Sequence, residues 1–229
     1  TMTAVLIAID GPSGSGKSTV ARKLAQQLHI GYLDTGAMYR ALTWLALERG
    51  VDLDDESAVR SAADSLELRM VPGDEGDRVF VGNVDVTAQI RTPHIAENVA
   101  RVARNLQVRQ WMALEQRRLM LLARSNGTGM VAEGRDITTV VCPEADVRVL
   151  LLADQQERLR RRAAELYGEV TAETLEQTRA QIVDRDASDS TVVDFFTPAE
   201  GVVAVDSSSL NADQVAAEII RLLPDGTES

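Results

Sequence analysis

Hydrophobic and polar positions along the chain switch between three patterns. Residues 4–9 (AVLIAI) are apolar throughout, as in a strand buried on both faces of a parallel sheet. Residues 18–28 follow at helical spacing, then a second short strand at 31–33, a helix over 37–49 and another over 55–65. The texture changes between Leu66 and Ile90. LELRMV, RVFVGN and VDVTAQI are short alternating runs separated by PGDEGD and a Gly82-Asn83 turn, the pattern of a small antiparallel sheet. Pro93 after Thr92 starts a helical stretch that runs to Ser125 with a break near Asn105. MVAE (130–133) and VRVLLL (147–152) are further buried strands. Asp154 with Glu157 three residues on predicts a capping box for a helix beginning QQERLRRRAAEL. A second helix runs from Thr171 to Arg185 and gives way to a polar loop. GVVAV (201–205) is a last strand and NADQVAAEIIRLL (211–223) a closing helix.

Strands alternating with helices predict an α/β fold with a mainly parallel sheet and right-handed crossovers, into which the antiparallel segment is inserted. Ligands of such sheets gather at the carboxyl ends of the strands. At 229 residues, 45% of them hydrophobic, the chain is long enough to bury a full core and too apolar for disorder. No apolar stretch reaches membrane-spanning length, no signal-peptide pattern is present, and Thr1 ahead of Met2 is set aside. The single cysteine, Cys142, forms no internal disulfide, which fits a cytoplasmic protein, and one Cys with two His disfavours zinc. A net charge of −11 argues against a nucleic-acid binder. Arginine supplies all the positive charge except Lys17 and Lys23, and one of those two lysines stands where chemistry requires it.

Gly11-Pro12-Ser13-Gly14-Ser15-Gly16-Lys17-Ser18, followed by Thr19, matches the full eight-position phosphate-loop pattern after a strand and before a helix. Its glycines let successive N–H groups turn inward around an anion, and the helix that follows adds its N-terminal dipole. Lys17 reaches the β- and γ-phosphates of a triphosphate and the Ser18 hydroxyl ligates Mg²⁺. The loop alone does not choose among GTPases, motor ATPases and small-molecule kinases, although no Asn-Lys-x-Asp guanine signature is present.

Three further stretches decide the matter: LDTGAMYRA (33–41), AEGRDITTVVCPEA (132–145) and RDASDS (185–190). Together with the loop they resemble the bacterial cytidylate kinases, members of the nucleoside-monophosphate kinase group, in order over residues 4 to 221. The resemblance implies a phosphate-loop NTPase core of three layers (1–60, 101–155 and 191–229), a monophosphate-binding insertion at 61–100 and a helical lid at 156–190. It implies Mg²⁺-dependent phosphoryl transfer from ATP to CMP or dCMP in pyrimidine nucleotide metabolism, by a monomer whose partners are small nucleotides, with no nucleic acid or membrane involved.

Transfer between two nucleotides crowds several phosphates together, so cations must converge from several directions, and guanidiniums grip phosphate oxygens in pairs. By resemblance Arg40 and Arg135 hold the acceptor monophosphate with Thr35 nearby, and act with Lys17 in catalysis. Arg185 and Asp189 approach the acceptor ribose. A carboxylate prefers the exocyclic amine of cytosine to the carbonyl of uracil. Asp136 matches the family position for that role, its alternatives being a helix cap or an arginine partner, and Arg109 matches the arginine that contacts the base. Arg158, Arg161 and Arg162 match lid arginines that close over ATP, although charged helix faces are also common. Arg49, Arg60 and Arg221 read as solvated surface charges. The chain departs from the pattern at Ala100, where relatives carry a small hydroxyl that helps recognise cytosine. It departs again at Val192, beyond the Asp189-Ser190-Thr191 run, where they often carry an arginine, and at Cys142, in place of an aromatic. Two other readings stand beside this one: a different small-molecule kinase, of UMP or shikimate type, or a nucleotide-gated binding module that hydrolyses ATP slowly.

Overall fold

The apolar run at the start of the chain forms the central strand of the sheet. In the computed structural model, which describes residues 4–73 and 76–225, β1 (Leu6–Asp10) is buried along its whole length. It is flanked in parallel register by β6 (Met130–Gly134) and β7 (Val147–Leu152). Outside these lie β2 (Gly31–Asp34) and β8 (Val203–Asp206), giving a five-stranded sheet in the order β2-β6-β1-β7-β8. Chain order reverses direction across β1, so the loops after β1 and β6 open side by side at the carboxyl edge, where such sheets bind ligands. Helices α1 (Lys17–Leu28) and α8 (Ala212–Ile220) cover this sheet: Val20 and Leu24, with Val215 and Ile219, pack on Ile7, Ile9, Val149 and Leu151 in one apolar cluster.

The chain divides into two compact units, one made of residues up to Asp34 together with Gln116 onward, the other Thr35–Glu115. The second unit opens on α2 (Thr35–Glu48), which follows β2 without a loop, two residues earlier than the apolar spacing indicates. It continues with α3 (Glu56–Ala63), capped by Asp55, and the antiparallel strands β3 (Leu68–Val71), β4 (Arg78–Val81) and β5 (Val84–Asp85). Strands β4 and β5 are joined by the Gly82-Asn83 turn, whose left-handed φ of 57° at Gly82 is the conformation glycine supplies. Part of the PGDEGD turn, residues 74 and 75, lies outside the described residues. Ala37, Ala41 and Leu45 of α2 pack on Val79, Val81, Val86 and Ile90 to make this unit's core.

The helical stretch after Pro93 breaks as expected into α4 (Pro93–Ala103) and α5 (Leu106–Ser125). Asn105, buried between them, accepts from the N–H groups of Gln107 (3.0 Å) and Val108 (3.2 Å), which caps the second helix while ending the first. Two expectations fail. The box at Asp154 is only half formed: its side chain accepts from Glu157 N–H at 2.8 Å at the start of α6 (Gln155–Tyr167), but Glu157 turns its carboxylate to Arg160 and Arg161 instead. The polar loop after Arg185 is helix, because α7 runs over Ala172–Ser190. Its buried face is Thr174, Thr178, Ile182, Asp186 and Asp189, spaced four and three residues apart. A helical stripe made of threonines and aspartates is invisible to a hydrophobic count. No helix among the described residues is long and apolar enough to cross a membrane.

Candidate active site

Loop geometry follows from its glycines. Gly16, at φ 93° and ψ 12°, adopts the left-handed turn that starts α1. A Cβ on Gly14 would lie 2.6 Å from the Arg158 carbonyl oxygen, so glycine there lets α6 pass directly over the loop. Gly11 and Pro12 are buried, and Ser18 and Thr19 are exposed at the open side. Lys17 folds back and donates to Pro12 O at 3.1 Å. Burial, followed by the neighbouring Arg135, holds its ammonium well below the usual lysine range, against the opposing pull of Glu133.

Glu133 stands at the carboxyl end of β6, in register with Ile9 of β1 and Asp34 of β2. It accepts from Ser18 Oγ at 2.9 Å and from the Tyr32 hydroxyl at 3.1 Å. Burial first, then Asp34, raises its carboxyl above the ordinary glutamate value. The same two causes, burial and the nearby acids Glu133 and Asp34, raise the Tyr32 hydroxyl. Asp10, closing β1, accepts from the N–H groups of Ile137 (2.8 Å) and Thr138 (2.7 Å) and from Thr138 Oγ1 (2.6 Å). Burial pushes Asp10 up to about 6 in spite of these donors. Its grip fixes a π-helical turn, Ile137–Val141, directly after Arg135 and Asp136. Asp136 is buried, and its side chain does not cap that turn, which leaves the cap alternative without support.

Arginines converge on the loop from two other elements. Arg135, leaving β6, donates to Ser13 Oγ at 2.9 Å and lies 3.3 Å from Asp189 of α7. Arg158 of α6 is buried, donates to Ser13 O at 3.2 Å and pairs with Asp186 of α7. Arg185 lies 3.8 Å from Asp189. Arg161 donates to Ser15 O at 3.2 Å and to Ser207 O at 2.6 Å, tying α6 to the loop and to the turn after β8. Arg162 points elsewhere, to Glu165 at 2.8 Å. The structure therefore brings Ser13, Ser15, Lys17, Ser18, Arg135, Arg158, Arg161, Arg185 and Asp189 into one neighbourhood. Thr35 and Arg40 stand on α2 of the other unit, Thr35 buried. In that unit Arg109 of α5 donates to Ala103 O at 3.1 Å.

These residues fit a nucleoside triphosphate with Mg²⁺. The donor set is cationic, Gly16 leaves the mouth of the loop open with only Arg161 Nη1 near its missing Cβ (3.8 Å), and the Arg158 Nε is buried without a hydrogen-bond partner. No cluster of three His, Cys, Asp or Glu able to hold a metal occurs among the described residues. Mg²⁺ has no need of one, since it is held by one or two protein oxygens plus phosphates and water.

A sequence model described as cytidylate kinase matches residues 7–225. The chain belongs to the cytidylate kinase family. It is 41% identical over 218 residues to a cytidylate kinase of Carboxydothermus hydrogenoformans, covering 95% of this chain and 96% of that one. A cytidylate kinase of Cutibacterium acnes is 45% identical over 96% of both chains. A bifunctional pantoate ligase/cytidylate kinase of Synechococcus elongatus is 43% identical across 96% of this chain, which spans 42% of that longer protein. Membership makes the chain one of the nucleoside-monophosphate kinases, which are transferases, and accounts for the four motif stretches falling in one order along it.

Glu133, Asp10 and Asp186 do not stand out in the sequence, although all three are charged residues in or beside the motif stretches. The signal for Glu133 and Asp10 was available: each is an acid at the carboxyl end of an otherwise apolar strand. A charge placed there is desolvated, and desolvated charges concentrate at functional sites. For Asp186 there was no such signal, because its burial depends on α7 continuing past Arg185.

Proposed function

We propose that the protein transfers the γ-phosphoryl group of ATP to CMP or dCMP, giving the nucleoside diphosphate and ADP. The observation that carries this is the convergence of Lys17, Arg135 and Arg158 on Ser13 and its loop, in a chain of the cytidylate kinase family. ATP would bring the reactive phosphoanhydride, and Mg²⁺, when bound, would offset part of the phosphate charge. The chain does the rest by position and charge. The loop's backbone N–H groups and Lys17 orient the phosphates, and Ser18, bonded to Glu133, is the residue that would hold Mg²⁺. Arg135 and Arg158 offset the negative charge that builds between donor and acceptor. The acceptor already ends in an anionic phosphate oxygen, so no strong general base is needed. In this reading Thr35, Arg40, Arg135 and Arg185 meet the acceptor phosphate and sugar, and Asp136 and Arg109 its base, with Asp189 beside the ribose. Arg161 and Arg162 stay with the ATP side, residues 156–190 act as a lid that excludes water, and residues 61–100 are the monophosphate-binding insertion.

A coupled ADP-release assay offers CMP, dCMP, UMP, AMP and shikimate separately, with a no-acceptor control. Release above the control with CMP or dCMP is expected. Activity on shikimate alone, or none above the control, sinks the assignment, and UMP matching CMP would show a relaxed base choice, the direction in which the hydroxyl missing at Ala100 points.

A further inference from the structure

Two like-charged guanidiniums and a buried ammonium share a few ångströms around Ser13, a costly arrangement unless something holds it together. Asp189 lies 3.3 Å from Arg135, but the carboxylate that reaches both arginines and the loop is Asp186. This carboxylate is 4% exposed, accepts from Ser13 N–H at 3.1 Å, pairs with Arg158 and stands 4.0 Å from Arg135. A pair of aromatic rings backs the same two arginines. The Arg135 guanidinium carbon is 5.2 Å from the centroid of Phe195, and that of Arg158 is 5.8 Å from the centroid of Phe196. The rings lie 4.7 Å apart at 32°. A turn fixes their placement: Asp194 Oδ1 accepts from the N–H groups of Phe196 (3.0 Å) and Thr197 (3.1 Å) immediately past α7.

We propose that Asp186, Phe195 and Phe196 are positioning residues for phosphoryl transfer, holding Arg135 and Arg158 aimed at the phosphate loop before nucleotide arrives. The proposal rests on the kinase reading above. Each component does what the other cannot. A carboxylate neutralises the pair but occupies N–H groups that phosphate needs. A ring engages the flat face of a guanidinium and leaves its N–H edges directed at an incoming oxygen. Phe195 is 1% exposed, so the Arg135 face is also kept dry, which strengthens the attraction. Asp186 touches Ser13 through the backbone and so registers both arginines to the loop itself rather than to the lid alone. Preorganised charge acts mainly in the transition state, so its loss falls on kcat more than on nucleotide affinity.

The test compares unmodified enzyme with Asp186→Asn, Phe195→Leu, Phe196→Leu and Phe196→Tyr. It uses steady-state ADP release with CMP and ATP, thermal melting, and the arginine Nε–H resonances of nucleotide-free protein. Asp186→Asn and Phe195→Leu are each expected to lower kcat about tenfold or more, with the KM for ATP changing less than about threefold. In the nucleotide-free spectra the Arg135 and Arg158 signals broaden in Asp186→Asn. Phe196→Leu lowers kcat about threefold and Phe196→Tyr, which keeps the ring, restores it. If Asp186→Asn or Phe195→Leu fails to fold, the half-exposed Phe196 pair decides: equal kcat for leucine and tyrosine overturns the proposal. Unchanged kcat in the folded variants overturns it as well, as does a loss confined to the KM for ATP. Absence of turnover by the unmodified enzyme, by contrast, defeats the kinase reading and this proposal with it.

Discussion

The two units of this chain use charge in opposite ways. In the unit that holds the phosphate loop, Asp10, Lys17, Glu133, Asp136, Arg158, Asp186 and Asp189 are all buried, at 8% exposure or less. Taking such groups out of water is expensive, and several show it: Lys17 is held below its ordinary protonation range, while Glu133 and Asp10 are held above theirs. In Thr35–Glu115 several charged pairs of the described residues lie at the surface, as with Arg101 and Asp54 at 2.7 Å, Arg78 and Asp85 at 2.6 Å, and Arg60 and Asp64 at 2.6 Å. That unit is held by the apolar cluster beneath α2 and β4. Exposed pairs gain little because water and salt screen them. Buried charge therefore marks where stability has been given up for chemistry, and surface charge does not.

Three measurements test that contrast. The largest effect belongs to Lys17→Ala, which is expected to lower kcat at least about a hundredfold while CMP binding, followed by calorimetry, stays within about threefold. Equal loss of turnover and binding would mean the lysine supports the fold instead. Next comes Asp10, whose native carboxyl titrates at about 6 against an ordinary 3.8. A raised native value means the folded protein keeps its proton where the unfolded chain has released it. The Asp10 contribution to stability is then full below about pH 4 and is lost as pH rises through about 6. Denaturant unfolding from pH 4 to 7 should show that loss, on the order of 3 kcal/mol for a two-unit shift, and Asp10→Asn should flatten it. A wild-type profile that rises over that interval relative to Asp10→Asn would reverse the sign. The smallest effect is expected in the other unit. Arg101→Ala breaks the pair with Asp54, yet the melting midpoint should move by less than about 2 °C and turnover by less than about twofold. A large shift there would erase the contrast.

Much of the molecule is legible in the amino-acid order alone, for reasons visible in particular elements. The run AVLIAI reads as a central strand because β1 is buried on both faces, and Asn105 reads as a break because its side chain competes with helical N–H groups. The phosphate loop is local, since its glycines, Lys17 and Ser18 sit within eight consecutive positions. Arg135 and Arg158 were recognisable from their motifs as cations near phosphate. Their partners were not, because Asp186 lies 28 residues from Arg158 along the chain and meets it only through helix packing. The end of α7 is hidden from the sequence for a related reason: the helix buries threonine and aspartate, and polar residues count as solvent-facing until a partner is seen. Arg161 is legible as a lid arginine by resemblance, whereas its bonds to Ser15 and Ser207 depend on packing between distant segments.

The α/β rhythm, the antiparallel segment, the phosphate loop and the family are all written in the amino-acid order, because each depends on periodicity or on residues close together in the chain. Which charges are buried, which acid faces which arginine, and that Phe195 and Phe196 lie against the guanidiniums emerge from the folded chain alone. Those outcomes depend on long-range packing, where desolvation and pairing energies are set by neighbours far away in the chain.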